Sequence, residues 1–190
     1  MIVSLRETGK KYGIIYTDPP WPQKKGNLRK VRPGQKKELD YKTLCLEEIM
    51  EIHDIVLKEN TEEKHNVFCW VIDKYIPEAE DIFDRLGYKI HARMVWDKGN
   101  GIASAYTVRY SHEYLYWFYK PKNMLMVDKE ARGKYSTVIR ENSTYHSRKP
   151  EAVYKMLEDM FKKESKLELF ARKEREGWDS FGDEIEGRKG

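Results

Sequence analysis

Cysteine is nearly absent: the chain carries only Cys45 and Cys69. Two cysteines so placed give no disulfide framework and no metal-ligand spacing, and they suit a reducing compartment. The five histidines show no ligand spacing either, so no metal site is expected. Long apolar runs are missing. The longest, Val67 to Ile72, is six residues, against about 20 for a membrane-spanning helix. The amino terminus lacks the apolar stretch of a secretory signal. These absences point to a cytoplasmic protein. There is no internal repeat, no low-complexity tract and no G-x-G-x-x-G, which removes the common glycine-rich cofactor loop. With 190 residues, one domain over 1–190 with a substantial core is expected.

The most informative stretch is Tyr16-Thr17-Asp18-Pro19-Pro20-Trp21-Pro22, which follows the apolar run Tyr12-Gly13-Ile14-Ile15-Tyr16. An acid, two prolines and an aromatic at the carboxyl end of a strand suit the chemistry of an exocyclic amine on a nucleic-acid base. Such an amine is a poor nucleophile because its lone pair is delocalised into the ring. Asp18 can accept one amine hydrogen and the Pro19 carbonyl the other, so acceptors face the developing positive charge. Successive prolines fix φ and carry no N–H, which stiffens the loop and is expected to leave its carbonyls free. Trp21 offers a flat face on which an extruded base can stack, or it packs behind the base. A bare Asp-Pro pair is usually only a turn; the tetrad after an apolar strand is more specific.

Charge is uneven. Residues 23–42 hold eight basic side chains (Lys24, Lys25, Arg29, Lys30, Arg32, Lys36, Lys37, Lys42) against two acidic ones, Glu38 and Asp40, while the whole chain is only +4. Basic runs are commonly plain solvated surface. Next to Trp21, this one reads as a loop that grips phosphates near the target base, with Lys24, Lys25, Arg29, Lys30 and Arg32 as contacts.

The rest alternates. Strands are expected at Tyr12–Thr17, Asn66–Ile72, Tyr88–Trp96, Glu113–Tyr119 and Lys166–Phe170. Helices are expected at Leu46–Lys58, Ile76–Leu86 (stopped by Gly87) and Pro150–Phe161. Alternation of this kind implies an α/β fold, a largely parallel sheet flanked by helices. The segments Lys98–Arg109 and Lys120–Arg140 read as loops over the same substrate cleft.

Asp18-Pro19-Pro20-Trp21 resembles the motif of the messenger-RNA adenosine methyltransferase family and its compact bacterial and phage DNA adenine methyltransferase relatives. Further blocks match in order: Tyr41-Lys42-Thr43-Leu44, Phe68-Cys69-Trp70-Val71, Met94-Val95-Trp96-Asp97-Lys98, His112-Glu113-Tyr114-Leu115, Ser147-Arg148-Lys149-Pro150, Glu168-Leu169-Phe170-Ala171-Arg172, and Gly177-Trp178-Asp179-Ser180-Phe181-Gly182-Asp183-Glu184. The resemblance spans about residue 11 to residue 184. It implies a Rossmann-like S-adenosylmethionine-dependent methyltransferase fold, circularly permuted so that the catalytic motif precedes the cofactor motif. It further implies Asp18, Pro19, Pro20 and Trp21 as catalytic residues. Asp18, Lys149, Phe170, Arg172, Asp183 and Glu184 become cofactor contacts, and Tyr41 and Glu113 base contacts. Trp70 and Trp96 also match pocket positions, but large aromatics on apolar strands are usually core. Asp183 and Glu184 stand where the RNA enzymes carry amides, and Glu174 departs from the pattern.

The expected reaction is methyl transfer from S-adenosylmethionine to the N6 amine of adenine. The chain shows no added zinc finger or N-terminal extension, so it resembles the bacterial and phage forms and DNA is the expected partner. RNA is the first alternative and cytosine the second. A silent, nucleic-acid-binding subunit is a third, although such a subunit is expected to lose Asp18 or the cofactor residues. A homodimer or a related partner subunit is compatible with the family.

Overall fold

The computed structural model describes residues 9–22, 43–99, 108, 110–143 and 148–182. The expected basic loop at 23–42 therefore lies outside the described residues, as do Tyr41, His146, Ser147, Asp183, Glu184 and most of 98–109.

Among the described residues seven strands form one sheet: β1 Tyr12–Thr17, β2 Thr61–Val71, β3 Lys89–Asp97, β4 His112–Tyr119, β5 Val138–Arg140, β6 Lys166–Leu169 and β7 Asp179–Phe181. Their order is β5-β3-β4-β2-β1-β6-β7. Only β4 runs against its neighbours, pairing antiparallel with β2 and β3. All other pairings are parallel. The carboxyl ends of β1, β2, β3 and β6 and the start of β4 thus share one edge of the sheet.

The period-two pattern of the strands divides the core. Ile15, Val67, Cys69, Leu167 and Leu169 face helices α1 (Leu46–Glu59) and α2 (Ile76–Arg85), meeting Ile49, Val56, Ile82 and Phe83. Ile14, Tyr16, Phe68, Trp70 and Leu115 face helix α3 (Glu151–Met160), meeting Val153, Met156 and Leu157. Both faces are covered, which is why the central strands read as continuous apolar runs. Helix starts follow local chemistry. The Glu48 carboxylate accepts the Cys45 amide at 2.7 Å ahead of α1, Pro77 lies in the first turn of α2, and Gly87 ends α2 at φ 85°.

The expected helices are present within a residue or two of their predicted ends. Three expectations need correction. β2 starts at Thr61, not Asn66, because Thr61 pairs with Tyr12 before an irregularity in the register. The segment 120–140 is not all loop: it contains a 3₁₀ turn at Lys129–Ala131 and then β5, which pairs with Val95–Asp97. Its first part does not face the substrate cleft. Met124 bridges His65, and Asn66 Nδ2 donates to the Leu125 carbonyl at 2.9 Å, so it packs at the opposite, amino end of β2. A cavity lined by His91, Trp117, Met124, Val127 and Met160 lies there. No helix among the described residues is long and apolar enough to cross a membrane.

Candidate active site

Asp18 is the first residue beyond β1, and the loop it opens is braced from four directions. The Trp21 amide donates to the Pro19 carbonyl at 2.8 Å, and the Leu44 amide to the Pro20 carbonyl at 3.0 Å. The Trp21 indole donates to the Trp70 carbonyl at 3.0 Å. The Tyr75 hydroxyl donates to the Pro22 carbonyl. The prolines restrict φ, and these bonds fix what freedom remains.

Two expectations about this loop change. The Pro19 and Pro20 carbonyls are not free, because each already accepts an amide; an additional partner has to use the second lone pair. Trp21 is not an open stacking face. It is 4% exposed and stacks on Tyr75 with ring centroids 5.6 Å apart, so it packs behind the loop. An indole buried with its N–H bonded is a structural anchor. Trp70 and Trp96 are core as well, donating to the Tyr16 hydroxyl and the Glu141 carbonyl.

A chain of alternating charges extends from Asp18. Lys149 Nζ lies 3.1 Å from Asp18 Oδ1 and 2.8 Å from Glu113 Oε2. Lys98 Nζ lies 2.5 Å from Glu113 Oε1. Lys149 also sits over the Trp70 ring, 5.1 Å from its centroid. Its side chain is 10% exposed, so both acids have to compensate the desolvation of its charge. They do: burial works against the ammonium, but Asp18 and Glu113 together hold its pKa above the ordinary lysine value. Glu113 stays below the usual glutamate range; burial opposes this, and Lys149 and Lys98 outweigh it. Asp18 is raised, chiefly by burial and by Glu113, against the pull of Lys149 and Arg172. Sequence reasoning did not single out Lys98, although it ends a matched block; a lysine after a strand carries no signal of its own.

Glu113 was expected to touch the base. In the structure its two oxygens meet Lys149 and Lys98, so a base would have to use the remaining lone pairs. Lys149 was expected at the cofactor and is observed on Asp18.

A second buried network adjoins the first. β6 places Glu168 beside Tyr16, and the Tyr154 hydroxyl from α3 donates to Glu168 Oε1 at 2.8 Å. Burial pushes the Glu168 pKa up to about 7, with Tyr154 opposing and Asp18 adding to the rise. On the other face, Thr17 meets His53 Nε2 at 3.0 Å, and His53 Nδ1 lies 2.7 Å from the Ile49 carbonyl. The carbonyl only accepts, so Nδ1 carries the proton and Nε2 accepts from Thr17. Burial lowers the His53 pKa to about 4 and keeps the ring neutral. Its ring centroid lies 6.0 Å from that of Phe170.

Phe170 turns the chain out of β6 with φ 60°, a strained value for an aromatic residue. Beyond it the backbone is tightly nested. A Cβ at Gly182 comes 2.0 Å from the Ala171 carbonyl oxygen, so only glycine lets β7 pass this loop. Arg172 follows, near enough to Asp18 to act on its charge.

The family model described as MT-A70 matches residues 12–184. The chain belongs to the MT-A70 family. It is similar to the type II methyltransferase M.MunI of Mycoplasma sp, 28% identical over 194 residues, covering 95% of this chain and 80% of that protein. It is also similar to an MT-A70-like N(6)-adenosine-methyltransferase of Arabidopsis thaliana, 27% identical over 184 residues; the match takes in 93% of this chain but only 24% of the plant protein. The crystal structure of the M1.HpyAVI–SAM complex superposes with a TM-score of 0.64 at 16% identity, covering 99% of this chain and 89% of that one. The MT-A70 chain thus has the Rossmann-like methyltransferase fold, with the Asp18–Trp21 motif directly after the first strand and the strand leading to Phe170 late. MT-A70 methyltransferases use S-adenosylmethionine. The residues fit such a group: a sulfonium cation suits the neighbourhood of Asp18 and Glu168, and the nested turn at Phe170–Arg172 lies where ligands bind in open α/β sheets, at the carboxyl ends of the strands.

Proposed function

We propose that the protein transfers a methyl group from S-adenosylmethionine to the N6 amine of adenine in DNA. The observation that carries this reading is the state of Asp18. Lys149 occupies Oδ1, while among the described residues no hydrogen bond occupies Oδ2. A carboxylate anchored by one oxygen presents the other in a fixed direction.

In this reading Oδ2 accepts one hydrogen of the adenine amine, and the second lone pair of the Pro19 carbonyl accepts the other. The amine is thereby drawn towards tetrahedral geometry and oriented for attack. As the N–C bond forms, positive charge develops on the nitrogen, and the Asp18 carboxylate stabilises it. The surplus proton then leaves through Asp18 to solvent; no strong base is needed, since the proton becomes acidic only after attack. Lys149 favours the ionised form of Asp18 and holds it in place, and Glu113 holds Lys149 there. A bound S-adenosylmethionine would be held by Phe170, Arg172, Asp183 and Glu184 and would supply the electrophilic methyl group, the S–CH3 bond breaking to leave a neutral thioether. Residues 23–42, with Lys24, Lys25, Arg29, Lys30 and Arg32, grip phosphates while Tyr41 meets the base, all within one domain over 1–190.

DNA is favoured by the likeness to a bacterial type II methyltransferase along nearly the whole of this chain. The plant relatives, named for adenosine, support RNA as the second reading. Methyl-labelled S-adenosylmethionine incubated with matched single- and double-stranded DNA and RNA decides between them, with Asp18→Ala as control. Label in DNA adenine that vanishes in the variant is the expected result. Label in RNA alone overturns the substrate; cofactor binding without label on any substrate points to a missing partner or target site, and neither label nor cofactor binding overturns the enzyme reading in favour of a silent subunit.

A further inference from the structure

Glu141 touches neither Asp18 nor Glu113, yet it fixes the junction that delivers Lys149 to them. The first amides of a helix have no intrahelical partners. Pro150, which precedes α3, has no side-chain acceptor to offer, and α3 has no side-chain cap from its own N-cap position. The Glu141 carboxylate supplies both missing acceptors from outside the helix. Its Oε1 accepts the Glu151 amide and its Oε2 the Ala152 amide, each at 2.8 Å. A carboxylate here also meets the positive end of the helix dipole.

The backbone of Glu141 is fastened to a different element. Its carbonyl accepts the Trp96 indole at 2.7 Å, and its amide reaches the Asp97 carbonyl at 3.4 Å. Glu141 therefore ties α3 to the end of β3. Lys149 sits two residues before the clamped Glu151. Trp96 also packs edge-on against Trp70, 5.9 Å between centroids, and Trp70 is the ring beneath Lys149. The clamp thus reaches Lys149 through both the backbone and its aromatic floor.

We propose that Glu141 is a positioning residue that keeps Lys149 on the Asp18 carboxylate by clamping the start of α3 to β3. This rests on the reading of Asp18 as the group that holds the amine. Lys149 has to meet Asp18 and Glu113 at once, and ion-pair energy falls with distance and with entering water. A start of α3 that is free to shift cannot keep both contacts.

The test reads Asp18 directly. Carboxyl-labelled aspartate is titrated by NMR, with Asp18→Asn assigning the signal. Lys149 on the connection, Glu113 on β4 and Arg172 after β6 all act on Asp18, as do Tyr16, Tyr154, Glu168 and Cys69; Lys149→Met serves as the reference for losing the cation. In Glu141→Gln, one oxygen becomes a donor that faces an amide. The Asp18 titration is expected to move upwards, at least half as far as in Lys149→Met. The turnover number falls about tenfold while the cofactor Kd changes by less than about threefold. Trp96→Phe, which removes the indole bond to the Glu141 carbonyl, shifts the titration in the same direction, and it replaces Glu141→Gln if that variant does not fold. An unchanged Asp18 titration and turnover alongside a lowered Tm makes Glu141 a helix cap only and overturns the proposal. If the wild-type protein methylates nothing, the function reading fails while the titration still decides the role of Glu141.

Discussion

Lys149 Nζ lies 3.1 Å from Asp18 Oδ1, joining the connection before α3 to the first turn after β1. Asp18 belongs to the motif loop, and Lys149 to a segment near the other end of the chain. The contact makes the acid and the base one unit, and their separate substitutions are expected to be non-additive.

Asp18→Asn keeps the shape of the side chain and removes its charge. Turnover is expected to fall by about 10²- to 10³-fold, the usual loss for one preorganised electrostatic partner. Isothermal titration with S-adenosylmethionine is expected to show binding weakened but still measurable, since one negative charge near the sulfonium is lost while the turn at Phe170–Arg172 is untouched. Wild-type turnover in this variant means the amine is held elsewhere.

Lys149→Met leaves Asp18 and Glu113 facing one another without their shared cation. Removing one partner of a buried pair costs about 3–5 kcal/mol, so denaturant unfolding is expected to show a loss of that order. The double variant Lys149→Met/Glu113→Gln recovers part of it. If the double variant is no more stable than the single one, the acids do not repel across this site.

Glu168 sets a pH dependence. Its folded pKa is about 7, against an ordinary 4.5, so the folded state binds more protons between those values. The favourable contribution is complete below pH 4.5 and is lost as pH rises through 7. Glu168→Gln does not titrate and can still accept from Tyr154. Its Tm relative to wild type is expected to climb between pH 5 and pH 8. A constant difference across that range contradicts a buried, reluctantly ionised Glu168.

Trp21 separates anchoring from base stacking. Trp21→Phe keeps an aromatic face but loses the bond to the Trp70 carbonyl and part of the packing on Tyr75. Thermal unfolding is expected to show a loss of about 1–3 kcal/mol. Full stability with weakened nucleic-acid binding points instead to a stacking role.

Gly182→Ala forces a methyl group onto the Ala171 backbone, and backbone cannot yield as a flexible side chain does. The turn that carries Phe170 and Arg172 has to move. The S-adenosylmethionine Kd is expected to rise at least about tenfold, a loss of about 1.4 kcal/mol. An unchanged Kd removes this turn from the cofactor site.

Sequence by itself determined the class of fold and the strand that bears the motif. Alternating apolar patterns, Gly87 and Pro150 are local signals, and local signals locate the helices and the central strands. Asp18-Pro19-Pro20-Trp21 and Lys149 were singled out because those residue types and blocks carry chemical meaning on their own. Tertiary structure alone decided how they meet. Trp21 reads equally well as platform or anchor until Tyr75 and the Trp70 carbonyl are seen against it. The short strands β5 and β7 have three residues each, too few for a period, and form because β3 and β6 offer them unpaired edges. Lys98, Glu141 and Glu168 resemble any charged residue at a strand end. Their meaning comes from burial and from partners distant in sequence: charge interaction, desolvation and hydrogen bonding depend on separation in space, which a linear order of residues does not contain.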